Sequence, residues 1–488
     1  MLINTIMRSS IILFLIALSG CAVNPVTGES DFVLMSEDEE ISIGRQNHAK
    51  IIQQYGLYEN PALQEYVQKV GDKLAAKSHR SNLIFRFTVL DSHEINAFAL
   101  PGGYIYITRG LLAYLSNEAE LAAVLGHEIG HVTARHAVRQ QSTAAATGLL
   151  AAVLASQAGF NGAGDLLNTI GTALVRGYGR DNELESDRLG AEYLAKTGYD
   201  PLAMIEVIKV LKNQEIYDKA LAKKEGREPN AYHGVFATHP ENDKRLQEVI
   251  GRAKQLQTQS SRNNNNRVSF LRNLEGVVFG EGEKQGIVRG NKFYHHELNI
   301  KLDLPRNWRI KNQANSIIAI APGNKGLLQI SAADINKRIT PKQFLKQRLK
   351  LSNLKHGESF QSNSLRGYTA VSSVSRTVYG TRLMRFVVIY KNNTAWIFQG
   401  LAKDKNAPYQ FDAEIINTAR SFRSLTSAER NKAKPRRIHI ITAKKDTRFA
   451  KLAKESQLGP NAEAQLRLLN KLYPEGEPTV GTPLKIIQ

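Results

Sequence analysis

Residues 117–136 read NEAELAAVLGHEIGHVTARH. Leu121, Val124, Leu125 and Ile129 recur at helical spacing, and Asn117 with Glu120 three residues on has the form of a capping box, so a helix is expected to begin at Asn117. Inside it, His127-Glu128-Ile129-Gly130-His131 is the pattern HExxH. At 100° per residue the two histidines share one face. Both imidazoles can then bind a single zinc ion while Glu128 flanks it and reaches the metal-bound water. The same string could be two surface histidines on an amphipathic helix, but it sits on the apolar side, where unpaired His and Glu are costly to bury. On an unbroken helix His136 falls about 140° round from His131 and is not expected to be a ligand.

A catalytic zinc site needs a third protein ligand and one open position. Residues 181–187, DNELESD, read as the start of a helix with Asp181 as its N-cap. Glu183 and Asp187 lie four apart on one face, while Glu185 points elsewhere. That spacing suits Glu183 as a carboxylate ligand and Asp187 as the group holding a ligand histidine by its other ring N–H. Acids in a first turn also complement the helix dipole, so this string alone leaves both readings open.

HEIGH, preceded by Asn96-Ala97-Phe98-Ala99-Leu100-Pro101-Gly102-Gly103 and followed by Glu183-Leu184-Glu185-Ser186-Asp187, closely resembles the zinc metallopeptidase family of the CAAX prenyl protease, HtpX and BepA types, over roughly residues 36–255. The resemblance implies a gluzincin site with one Zn2+ per chain held by His127, His131 and Glu183, and Glu128 as catalytic acid/base. It also makes the strand containing Asn96, Ala97 and Phe98 the edge along which an extended substrate lies. In the BepA-like pattern a histidine placed as His239 is in Thr238-His239-Pro240-Glu241 fills the open zinc position and keeps the enzyme latent; a plain N-cap before Pro240 fits as well. Arg176, Tyr178 and Arg180 are candidates to stabilise an oxyanion.

The chain has 488 residues, 42% of them hydrophobic and 23% charged, enough for several domains with real cores. Its one cysteine, Cys21, excludes a disulfide scaffold and any thiolate zinc site in the body of the protein. Leu18-Ser19-Gly20-Cys21 follows a short apolar run and resembles a bacterial lipobox, so residues 1–20 are expected to be a lipoprotein signal peptide and Cys21 the lipidated residue. Ala22 after the cysteine favours sorting to the outer membrane by the same resemblance. The apolar stretch within 142–175 is too short to span a bilayer and reads as a buried or lid-like helical pair.

Residues 1–260 carry 25 Lys and Arg against 29 Asp and Glu, and residues 261–488 carry 40 against 16. The basic second half is the footprint of a region meeting anionic partners. Export makes these peptidoglycan or lipopolysaccharide, not nucleic acid. Composition divides the chain into a metallopeptidase domain (21–256), a polar linker (257–267), an antiparallel α+β domain of unknown role (268–425), a basic linker (426–437) and a small module (438–488). That last segment resembles a degenerate LysM peptidoglycan-binding fold, and a small basic α/β tail without sugar affinity fits it as well. The expected fold class is α+β, the peptidase part being zincin-type and mainly helical with a small antiparallel sheet. The expected function is a zinc endopeptidase of the bacterial periplasm, lipid-anchored to the outer membrane, acting on misfolded or stalled envelope proteins. The competing class is a non-catalytic chaperone or assembly factor for outer-membrane proteins that retains a latent peptidase fold.

Overall fold

The computed structural model describes residues 21–145, 178–225, 229, 243–259, 261, 265–313, 315–456 and 458–488. The signal segment 1–20, most of the expected helical pair within 142–175, Arg176 and His239 lie outside the described residues. The fold is α+β, in two compact units: Met1–Phe279 with Arg437–Gln488, and Gly280–Arg436. Among the described residues no helix is long and apolar enough to cross a membrane.

The first unit opens with a short hairpin, β1 (Cys21–Val23) and β2 (Ser30–Phe32), then α1 (Glu37–Tyr55) and α2 (Pro61–Ala75). Asn60 caps α2, its side chain accepting the Leu63 N–H ahead of Pro61, and Leu63, Val67, Val70 and Leu74 turn one stripe into the core. Strands β3 (Arg86–Leu90), β4 (Ala97–Leu100) and β5 (Tyr104–Thr108) form a sheet of order β3-β5-β4. This sheet is mixed, not antiparallel as expected. β4 and β5 make the expected hairpin, but β3 pairs parallel to β5. The reason lies in β5: all five of its residues are buried, so it takes the centre and leaves β4 at the edge.

α3 (Arg109–Tyr114) leads into α4 (Glu118–Thr133), every residue of which is buried. Such a helix is core on all sides, and the other elements are arranged around it. The Asn117 side chain accepts the Glu120 N–H at 2.9 Å, while the Glu120 carboxylate reaches back to the N–H of Ser116. α5 (Arg180–Lys196), α6 (Ala203–Glu225), α7 (Asp243–Leu256) and α8 (Arg267–Leu274) follow, with a short strand β6 (Val278–Phe279).

The second unit holds a three-stranded antiparallel sheet of β7 (Ile287–Arg289), β8 (Lys292–His295) and β9 (Ile300–Asp303). Beside it stands a seven-stranded antiparallel sheet of β10 (Arg309–Gln313), β11 (Ser316–Ile320), β12 (Gly326–Asp334), β13 (Lys355–Ser362), β14 (Leu365–Val374), β15 (Arg382–Lys391) and β16 (Thr394–Ala402). α9 (Pro341–Gln347) contributes Phe344 and Leu345 to one of its cores, and α10 (Asp412–Arg420) contributes Ile415 and Ala419 to the other; α11 (Ser427–Lys432) ends the unit.

The chain then returns to the first unit with β17 (Arg436–Thr442), α12 (Phe449–Glu455), α13 (Ala462–Leu469) and β18 (Pro483–Ile487), the two strands antiparallel and β17 lying between β18 and β6. Composition places cuts at 257–267 and 426–437; the contacts place them at Phe279/Gly280 and Arg436/Arg437. The polar run that reads as a linker acts partly as a cap: the Asn265 carbonyl accepts the N–H of Glu118 and the Asn266 amide donates to the Glu118 carboxylate. The returning tail is fastened to the same place. Lys485, fully buried, donates to the carbonyls of Ala113 and Leu115 at 2.6 and 2.7 Å, and Lys471 donates to the buried carboxylate of Glu120 at 2.8 Å. Lys471→Met is therefore expected to leave Glu120 buried without its cation and to lower stability by about 2 kcal/mol, below the 3–5 of a fully buried pair because Lys471 is partly exposed. A urea unfolding midpoint unchanged from wild type would contradict this.

Candidate metal centre

α4 and α5 cross at unusually short range, and glycines allow it. A Cβ on Gly130 would lie 2.9 Å from the Cα of Ser186, and one on Gly190 would lie 3.0 Å from the backbone nitrogen of His127. The crossing brings Glu183, in the first turn of α5, against the two histidines of α4. The Nε2 atoms of His127 and His131 are 3.0 Å apart, and the Glu183 carboxylate lies 3.5 Å from the first and 3.4 Å from the second. Among the described residues these form the one group of three His, Cys, Asp or Glu side chains whose ligating atoms lie within 4.8 Å of one another.

Glu183 has no solvent exposure and both histidines are buried. An ionised carboxylate there requires a cation or a proton nearby. Burial pushes the His127 imidazole down, but hydrogen bonds and charge from Asp187 and Glu183 outweigh it and take His127 up to about 10. The same carboxylates that favour a proton on His127 favour a metal cation between the ring nitrogens and Glu183, and two imidazoles with one carboxylate is a donor set that suits zinc. The Nδ1 of His127 lies 2.8 Å from Asp187 Oδ1, the partnership expected from the spacing of Glu183 and Asp187. Glu128 is buried beside His127 on α4. Tyr178 stacks on His131 with ring centroids 4.1 Å apart, and burial, with the charges of Glu128 and Glu183, raises its phenol. Arg180 is exposed at the start of α5. The helix has Gly179, not Asp181, as its N-cap; Asp181 serves in the first turn.

Ala97 and Phe98 lie on the edge strand β4, and Ala99, Leu100 and Pro101 line a small cleft together with His131 and Tyr178. Asn96 precedes the strand, and both its backbone groups are committed to Thr108. Phe98 stacks on Tyr106 at 4.9 Å, which turns that side chain onto the sheet. Cys21 begins β1, paired in register with Phe32.

Sequence reasoning missed His136. The helical period that carries it away from His131 stops at Thr133: Ala134 caps α4, Arg135 takes a left-handed φ of 55°, and helix resumes over 136–145. The break swings His136 back, so that its Nδ1 lies 2.8 Å from Nδ1 of His131 and its Nε2 lies 3.1 Å from Glu185 Oε2. Burial holds His136 below its ordinary value despite that carboxylate. Glu185 does face away from Glu183, as expected, and this is where it goes.

Residues 61–253 match the profile of Peptidase family M48. The chain is 32% identical over 242 residues to the beta-barrel assembly-enhancing protease of Yersinia pestis, and 30% identical over 242 residues to that of Escherichia coli strain K12. Each match covers 48% of this chain and 47% of the relative, so the chain spans about half the length of these curated relatives. It is also 33% identical over 172 residues to the mitochondrial metalloendopeptidase OMA1 of Arabidopsis thaliana, covering 35% of this chain and 32% of that one. A solution structure of cyanobacterial PsbP from Synechocystis sp. PCC 6803 aligns with 29% of this chain and 96% of its own at a TM-score of 0.23 and 12% identity, which carries no argument.

The crossing itself yields a test. In an ordinary helix interior Gly→Ala gains about 1 kcal/mol, whereas forcing a methyl into close-packed backbone costs about 1–3. Gly130→Ala is expected to destabilise by about 1–2 kcal/mol, and Gly251→Ala on α7, where a Cβ meets open space, to be neutral or stabilising. Equal effects of the two on the melting temperature would contradict the close approach. The two histidines and the carboxylate on the crossing helix all lie in the stretch that the profile matches: over residues 61–253 this chain has the sequence of Peptidase family M48.

Proposed function

We propose that this chain is a zinc endopeptidase of the bacterial cell envelope, active on misfolded or stalled proteins. The observation that carries the reading is the fully buried Glu183 facing two imidazole nitrogens that are 3.0 Å apart, a donor set of two imidazoles and one carboxylate that suits zinc. His127, His131 and Glu183 would hold the zinc. When bound, it supplies Lewis acidity that polarises the scissile carbonyl and lowers the pKa of an attacking water.

The chain's own groups do the rest. Glu128 takes the proton of the attacking water and passes it to the leaving amine, and its burial beside His127 keeps it out of bulk solvent. Asp187 accepts the Nδ1–H of His127 and so presents Nε2 to the metal. β4, at the edge of its sheet among the described residues, pairs at Ala97 and Phe98 with substrate backbone in extended form, which gives little sequence preference. Asn96, with its backbone already paired to Thr108, sets where that pairing begins. His239, if it reaches the open position, holds the site latent.

A role in outer-membrane protein quality control is supported by the named relatives from Yersinia pestis and Escherichia coli. Lipidation at Cys21 would tie the protein to the outer membrane. The β-α-α-β order of the 437–488 tail and the basic character of the second half support contact with peptidoglycan or lipopolysaccharide.

Zinc content and casein cleavage of the purified protein test the reading together. Wild type is expected to carry one zinc per chain and to cleave. Glu128→Gln should keep the zinc and lose at least about 100-fold in rate, since it loses the proton acceptor but no ligand. A wild type without stoichiometric zinc, or a fully active Glu128→Gln, would defeat the proposal. A protein that holds zinc but cleaves nothing would favour the chaperone reading.

A further inference from the structure

We infer that His136, fixed by Glu185, is a positioning residue for His131: it accepts the Nδ1 proton of His131 and so holds that imidazole with Nε2 turned to the metal position. The inference rests on the reading of His131 as a metal ligand and extends it to side chains that no comparison assigns.

His131 turns Nε2 toward His127 and Glu183, so as a ligand it carries its hydrogen on Nδ1. Nδ1 of His136, at 2.8 Å, is in position to accept that hydrogen; Ser186 Oγ contacts the same His136 nitrogen at 3.4 Å. For Nδ1 of His136 to accept, its hydrogen must sit on Nε2, and that nitrogen meets Glu185 Oε2 at 3.1 Å. Glu185 therefore selects the tautomer of His136, which in turn selects the tautomer of His131. Arg139, 3.5 Å from Glu185, closes the chain with a cation. His127 hands its Nδ1–H straight to the carboxylate of Asp187; His131 reaches a carboxylate one imidazole later.

The backbone is built for this contact. His136 is reached only because Arg135 adopts its left-handed conformation, and Arg135 is locked there by Glu40 on α1 and by the carbonyl of Met35. Glu40, itself buried, also accepts from Arg80 and from the N–H of Gly102 in the turn after β4. A non-glycine residue with positive φ is uncommon and persists where its surroundings over-determine it.

The experiment measures zinc affinity of the full chain by competition with a chromogenic chelator, with circular dichroism of each metal-free form as the folding check. Wild type should bind one zinc tightly. His136→Phe, which cannot accept, should weaken binding by about 10–100-fold. His136→Asn, whose Oδ1 can take the place of Nδ1, should recover most of that loss. Glu185→Ala, which touches no ligand, should weaken binding by about tenfold. Glu185→Gln, whose amide oxygen still accepts from Nε2, should stay near wild type. The Glu185 pair decides the matter if His136→Phe does not fold. Wild-type affinity in His136→Phe, equal loss in His136→Asn and His136→Phe, or equal affinities in the two Glu185 variants would overturn the inference while leaving the metal reading intact. A wild type that binds no zinc would overturn the metal reading itself.

Discussion

The close crossing of α4 and α5 is the constraint on which the rest of this unit depends. Gly130 and Gly190 let two backbones meet at a distance no side chain would allow, and only at that distance can one carboxylate serve two imidazoles on the neighbouring helix. The resulting polar group sits in the middle of a helix buried over its whole length. Burying Glu183, His127, His131, Glu128 and Asp187 together opposes folding unless each finds a partner, so the sequence spends further residues on satisfying them. Asp187 serves His127, and the His136–Glu185–Arg139 series serves His131.

The same helix is held at its other end by charge. Glu118 at the start of α4 accepts from Tyr66, Tyr199 and Asn266, and Glu120 pairs with Lys471 from the returning tail. Residues more than 350 positions apart thus fix the first turn of the helix that carries HExxH. A tail that reads as a separate module is part of the unit that frames the site. Its elements run β-α-α-β, and its buried Lys485 points inward, onto the carbonyls of Ala113 and Leu115.

Much of the site was legible because its chemistry follows helical period. His127 and His131 at i and i+4, and Glu183 and Asp187 at the same interval, land where 100° per residue puts them. The Asn117 cap and the β4–β5 hairpin around Pro101-Gly102-Gly103 also follow from local rules. What failed to show was whatever depends on a break in period or on distant residues. His136 was carried away on a helix that in fact stops, because nothing local announces that Arg135 will be pinned by Glu40. The parallel pairing of β3 with β5 is a tertiary outcome of burying Tyr104 to Thr108 on both faces. The polar run before Arg267 looked like a linker because caps and linkers share a composition, and only the partner, Glu118, tells them apart.

The central claim is that the buried His127–His131–Glu183 group is completed by one zinc ion, and its most direct test is the melting temperature of the metal-stripped full chain before and after one equivalent of zinc. A ligand bound only by the folded state at about 1,000 times its dissociation constant contributes about 4 kcal/mol. The account predicts a rise of several degrees with zinc and none with magnesium, which prefers an all-oxygen shell. No zinc-dependent rise, or an equal rise with both ions, would contradict it.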